Sequence, residues 1–277
     1  MQLRSGSKLL DLDSPKVMGI LNVTPDSFSD GGNFSNIDKA VFQAEKMVEQ
    51  GAAIIDIGGE STRPGAADVS LQEELDRVLP VIDKISQQLD CWISIDTSKA
   101  LVMTEAVKAG ANLINDVRAL REEGALQAAV SAQVPVCLMH MQGQPRSMQT
   151  SPQYDNLLSD VERFLLDRAN VCIQAGIKKE SIILDLGFGF GKQPKQNFEL
   201  LAATKQFVAL GYPVLTGVSR KSMFGHLLNR DINERLAGSL AAALIAVQQG
   251  SQIIRVHDVA ETVDIIKVQQ EINTFSC

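Results

Sequence analysis

Charged and amide side chains recur where apolar runs end: Asn22, Asp56, Asp96, Asn115, His140, Asp185, Ser219 with Lys221, and Arg255 with His257. Singly, each reads best as the point where a buried strand stops. Together they supply carboxylates, amides, a hydroxyl, an ammonium, a guanidinium and two imidazoles, a set that hydrogen-bonds polar ligands and holds small anions. Arg255 and His257 are two residues apart, so on one strand both point to the same face. Lys221 admits a second chemistry, an amine nucleophile that forms a Schiff base with a carbonyl substrate. No Ser-His-Asp constellation is evident.

These residues act together only if the chain brings them together. Eight short β-rich runs precede them: Val17 to Leu21, Ala53 to Ile57, Trp92 to Ile95, Leu113 to Asn115, Val134 to Met139, Ile182 to Leu184, Val214 to Gly217 and Ile253 to Val256. Amphipathic segments of helical length lie between them, near Asp38 to Gln50, Leu71 to Leu89, Lys99 to Ala109, Ala125 to Ala132, Tyr154 to Ala175, Phe198 to Leu210, Asn233 to Gln249 and Ala260 to Glu271. Runs apolar on both faces that alternate with helices predict parallel strands under helical cover. Eight such units close into an α/β barrel, and the pattern predicts a single-domain (β/α)8 TIM barrel with its core at about residues 15–272. A doubly wound open sheet is the alternative, but no Gly-x-Gly-x-x-Gly follows the first strand and no linker divides the chain. In a barrel every strand end opens on one face, so all these polar residues converge in one mouth.

Two of the connections, Thr24 to Ser35 and Gly58 to Ser70, are long and rich in Gly, Pro and Ser, and are expected to act as lids over a substrate. Gly187 to Lys192 is one residue short of a Walker A loop, and Gln193 stands where magnesium needs Ser or Thr. Asp26 and Asp30-Gly31 lack the remaining ligands of an EF-hand.

A 277-residue chain that is 45% hydrophobic has ample core, which excludes a disordered chain. Its net charge of -7, without a Lys/Arg cluster, disfavours nucleic acid but not a small anion gripped locally. The apolar stretches are too short to span a bilayer, and the first 16 residues lack the hydrophobic region of a secretory signal. Cys91, Cys137, Cys172 and Cys277 are scattered, as expected of reduced thiols in a cytoplasmic protein.

Six motifs, in order, carry a resemblance: Gly19-Ile-Leu-Asn-Val-Thr-Pro-Asp-Ser-Phe-Ser-Asp-Gly-Gly32, Gly58-Gly-Glu-Ser-Thr-Arg-Pro-Gly65, Asp96-Thr-Ser-Lys99, Leu138-Met-His-Met-Gln-Gly143, Ser219-Arg-Lys-Ser222 and Arg255-Val-His-Asp258. From about Val17 to Val263 the chain resembles the bacterial dihydropteroate synthases, pterin-binding barrels. The resemblance implies condensation of a pterin methyl diphosphate with 4-aminobenzoate, release of pyrophosphate, and inhibition by sulfonamides. It implies pterin binding by Asp96, Asn115, Asp185 and Lys221, and diphosphate binding by Thr62, Arg63, Arg255 and His257. Phe28, Thr62, Pro64, Phe190, Ser219 and Arg220 are implied for aminobenzoate, with Asp96, Lys221 and Arg255 catalytic. Asn22 is implied to help hold Mg2+, and the family's usual assembly is a homodimer.

The family usually carries Pro after the Asp of Asp185-Leu-Gly-Phe-Gly-Phe-Gly-Lys192, where this chain has Leu186, a change that frees φ and restores a donor. Three competing readings remain at this point: the Schiff-base aldolase, a corrinoid-dependent methyltransferase of related fold, and a barrel that binds pterin without turning it over.

Overall fold

The computed structural model describes residues 1–24, 33–61, 68–143 and 152–275, the side chains of 33–35 excepted. The chain opens with an antiparallel hairpin, β1 (Gln2–Ser5) and β2 (Lys8–Asp11), paired from Gln2↔Asp11 to Ser5↔Lys8. Its two-residue turn places Gly6 at φ +57°, a left-handed conformation that glycine adopts without a Cβ penalty.

Eight parallel strands follow: β3 (Lys16–Asn22), β4 (Ile54–Gly58), β5 (Trp92–Asp96), β6 (Leu113–Asp116), β7 (Val136–Met139), β8 (Ile182–Asp185), β9 (Val214–Thr216) and β10 (Ile253–Val256). They pair in chain order, and β10 closes the barrel on β3 through Ile253↔Lys16 to Val256↔Gly19. The strands are short and almost wholly buried because the outward face meets helices and the inward face meets other strands.

The helices are α1 (Asn33–Glu49), α2 (Leu71–Gln88), α3 (Ala100–Lys108), α4 (Ala125–Ala132), α5 (Leu157–Gln174), α6 (Pro194–Ala202), α7 (Thr204–Val208), α8 (Ser222–Leu228), α9 (Leu236–Gln248) and α10 (Val259–Asn273). Local chemistry sets their starts. At α2, Ser70 and Glu73 form a capping box, Glu73 N donating to Ser70 Oγ (3.3 Å) and Ser70 N to Glu73 Oε2 (2.9 Å). At α5, Asn156 Oδ1 accepts from Ser159 N at 3.0 Å. The expected one-helix-per-strand alternation holds except that two helices each follow β8 and β9. The helix expected over Phe198 to Leu210 starts earlier, at Pro194, and breaks at Ala203.

The inward side chains form layers. The lower layer, Met18, Ile54, Trp92, Leu113, Cys137, Ile183, Leu215 and Ile253, is an apolar plug, sealed from beneath by Leu3, Leu10 and Leu12 of the hairpin and its exit. Two residues further along the strands the inward positions become Asp56, Ser94, Asn115, Asp185 and Arg255. The basin thus has a dry floor and polar walls.

Candidate functional site

Arg255 is the centre of the basin. Its Nε donates to Asp56 Oδ2 at 2.6 Å and one terminal nitrogen donates to Asp96 Oδ2 at 2.7 Å, joining β10 to β4 and β5 across the barrel. Asn115 Nδ2 donates to the same Asp56 oxygen at 3.2 Å. Burial works against the Arg255 charge, but Asp56 and Asp96 outweigh it and raise its pKa above that of an ordinary arginine. Asp96 is pushed up to about 7 by burial, opposed by Arg255 and assisted by Asp56. Two buried polar atoms of this wall, Asp56 Oδ1 and Ser94 Oγ, have no protein partner, and the register sets their residues side by side. Such atoms are costly unless a water or a ligand satisfies them.

Asp185 ends β8 almost fully buried, with Oδ1 accepting from Gly187 N at 2.7 Å. Burial raises its pKa, while that backbone bond and the Lys221 charge pull the other way. Lys221 precedes α8 and places Nζ 4.5 Å from the centroid of the Phe190 ring, a cation–π distance. Phe190 also completes an apolar wall with Val117, Met139 and Met141.

Ser219 and His257 meet: Ser219 Oγ lies 3.0 Å from His257 Nδ1 and accepts from His257 N at 3.2 Å. The residues expected for the aminobenzoate carboxylate and for the diphosphate are therefore hydrogen-bonded to each other, through both the ring and the backbone of His257. Arg220 turns differently. Its backbone is left-handed at φ +55°, and its guanidinium is forked onto Asp258, with Nε donating at 3.0 Å. It thus forms an ion pair with the residue that caps the start of α10.

Of the expected residues, Asp96, Asn115, Asp185, Lys221, Arg255, His257, Ser219 and Phe190 stand on the barrel's strand ends or the loops that follow them. Asn22 ends β3 on the same rim, next to Gly58, a Cβ at which would lie 3.9 Å from Asn22 Oδ1. Phe28, Thr62, Arg63 and Pro64 lie outside the described residues, as do residues 25–32 and 62–67 of the two segments expected to form lids. Among the described residues no group of three or more His, Cys, Asp or Glu is arranged to hold a metal. A single neutral oxygen donor such as Asn22 suits a hard cation that keeps its waters and takes the rest of its shell from substrate oxygens, so the donor set fits Mg2+ bound with a diphosphate.

Asp56 went unassigned in sequence reasoning although it stands among the strand-end residues. The signal was its period-2 spacing from Ile54, which turns it inward at the level of Ser94 and Asn115. Met139 and Met141 were hidden because methionines at a strand end read as core.

A closed barrel with a buried carboxylate, amide and guanidinium wall beside an apolar one defines a barrel enzyme for a small polar heterocycle. Residues 18–257 match the family model described as "Pterin binding enzyme", and the chain belongs to that family. Within it, the chain is similar to the dihydropteroate synthase of Haemophilus influenzae, at 58% identity over 98% of each chain. Among solved structures it resembles the 7,8-dihydropteroate synthase of Vibrio fischeri (60% identity, TM-score 0.90, covering 100% of this chain and 99% of that one). It also resembles the Yersinia pestis dihydropteroate synthase in complex with a sulfonamide drug (55% identity, TM-score 0.94, covering 99% and 100%).

Proposed function

We propose that this chain is a working dihydropteroate synthase, a transferase that joins 6-hydroxymethyl-7,8-dihydropterin diphosphate to 4-aminobenzoate with loss of pyrophosphate, and a sulfonamide target. The observation that carries this reading is the Asp56–Asp96–Asn115–Arg255 network beside Asp185, over a dry floor. A pterin offers adjacent N–H donors and a carbonyl acceptor. Asp185 and Asp96 would take the donors, Asn115 would pair with the ring edge, and Lys221 would donate to an acceptor while balancing the Asp185 charge.

The chemistry is positioning and electrostatics. The bond from the pterin methylene to the diphosphate oxygen breaks, and its electron pair leaves with pyrophosphate, held by Arg63, Arg255 and His257 with Thr62. The electron-poor methylene is stabilised by the ring and by the nearby Asp96 carboxylate. The arylamine nitrogen then forms the new bond and releases a proton. An aromatic amine is already neutral at pH 7, so no strong general base is required. Asn22 would hold Mg2+, which when bound neutralises diphosphate charge. Ser219 would receive the aminobenzoate carboxylate, with Phe28, Pro64 and Phe190 against its ring, Thr62 bordering both subsites and Arg220 acting from behind through Asp258.

A homodimer is part of the proposal, supported by exposed apolar side chains such as Ile245 on α9 and Val268 on α10, helices that pack together. So is a reducing, cytoplasmic setting, supported by the buried free thiols of Cys91, Cys137 and Cys172. Among the described residues no helix is long and apolar enough to cross a membrane. A coupled assay of pyrophosphate release tests the function: release from pterin diphosphate that depends on added 4-aminobenzoate is expected, and none under any combination of substrates and Mg2+ would overturn it.

A further inference from the structure

Lys192 has no place in the chemistry above; it is 2% exposed, and burial lowers its pKa to about 7 against the pull of Asp185, so near neutrality it is a hydrogen-bond donor as amine or as ammonium. Its Nζ lies 2.9 Å from His140 Nδ1, 2.8 Å from Gly187 O and 3.2 Å from Phe190 O. Burial lowers the His140 pKa to about 2, aided by the Lys192 charge, so the ring is neutral and its Nδ1 accepts from Lys192. His140 is fixed in turn, edge-on to Phe164 at 5.0 Å.

Besides His140, whose carbonyl oxygen also lies 3.4 Å from Nζ, the acceptors belong to one short turn, residues 187–191, gripped from several other sides. Gly187 N donates to Asp185 Oδ1, Gly189 N to Asn197 Oδ1 (2.6 Å) and Phe190 N to Gly187 O (3.1 Å), while Tyr154 Oη donates to Gly191 O at 2.7 Å. The turn has no room for side chains at its glycines. A Cβ on Gly187 (φ +68°) would fall 1.8 Å from His140 O, and one on Gly189 (φ +80°) would fall 3.1 Å from Lys221 Cδ. The backbone is therefore packed closely against His140 at Gly187 and against the Lys221 stem at Gly189, and the Phe190 ring lies 4.5 Å from the Lys221 ammonium.

We propose that Lys192, held by His140, is a positioning residue: its Nζ donates to carbonyls of the turn at 187–191, gathers them, and so sets where Phe190 and Lys221 stand in the basin. Lys192 touches neither substrate. The inference deepens the proposed function and rests on it for its kinetic readout.

Leu186, which precedes this turn, is buried in the hydrophobic core around the barrel.

The test combines hydrogen exchange by mass spectrometry over residues 187–191 with steady-state kinetics on wild type, Lys192→Met, His140→Leu and His140→Asn. Lys192→Met and His140→Leu are expected to speed exchange in that turn at least tenfold and to raise the KM for 4-aminobenzoate about tenfold, with kcat changed less than threefold. His140→Asn, which retains an acceptor near the Nδ1 position, is expected to restore most of both losses. If Lys192→Met does not fold, the two His140 variants decide. Unchanged exchange and KM in His140→Leu, or equal losses in His140→Leu and His140→Asn, would overturn the inference, as would exchange that speeds throughout the barrel. A wild type without turnover would instead defeat the proposed function, while the exchange comparison would still judge the brace.

Discussion

Asp96 illustrates how one side chain can be useful because its environment is unfavourable. Burial raises its pKa to about 7 against the pull of Arg255, so its charge is available only near and above neutrality. If Asp96 stabilises an electron-poor methylene, kcat/KM for the pterin diphosphate should fall about tenfold per pH unit below that ionisation, and Asp96→Asn should lower the rate and flatten this limb of the profile. A wild-type profile without an inflection near 7 that Asp96→Asn abolishes would refute the role. Stability runs the opposite way. A carboxyl whose folded pKa exceeds its unfolded value favours the folded state in acid, and that contribution is lost as pH rises toward about 7. The site therefore gains function across the range in which this group costs stability. Polarity at a strand end was visible in the sequence for Asp96, Asp185 and Arg255. Their pairing was not, because which carboxylate meets Arg255 depends on the register of strands nearly 200 residues apart, as with Arg255 and Asp56.

At the scale of elements, the strands were legible because burial on both faces leaves unbroken β-branched runs. The strand from Ile253 to Val256 has the bounds read from the sequence, and the other barrel strands differ at their ends by a residue or two. The hairpin β1–β2 escaped because its apolar residues, Leu3, Leu9 and Leu10, are few and flanked by charge. α8 escaped because it is a short helix carrying Gly225 between two stronger signals. The hairpin closes the floor of the barrel, where Leu3 is fully buried beneath the plug. Leu3→Ala should cost about 2–5 kcal/mol, the usual range for a buried leucine. Thermal unfolding should show a clear fall in Tm, with the KM values for both substrates unchanged. An unaltered Tm would mean that the hairpin does not contribute to the core, and a raised KM would mean that the floor and the basin are coupled.

At the scale of the whole molecule, the barrel is a device for collecting distant residues. Asp56, Asp96, Asn115, Asp185 and Arg255 come from five strands and meet because parallel closure aims every strand end the same way. The convergence was readable from the alternation of strands and helices alone, and the motifs named the family. What geometry adds is the order within the basin: an inner wall tied through Arg255, an apolar wall ended by Phe190, and Ser219 joined to His257. The central claim is that this wall is a pterin site in which Asp185 carries a charge-assisted bond. Calorimetric titration of a dihydropterin ligand into wild type and Asp185→Asn tests it most directly. A charge-assisted bond worth about 1.5–3 kcal/mol predicts affinity roughly ten- to a hundredfold weaker in Asp185→Asn. Undiminished binding in a correctly folded Asp185→Asn would contradict the account.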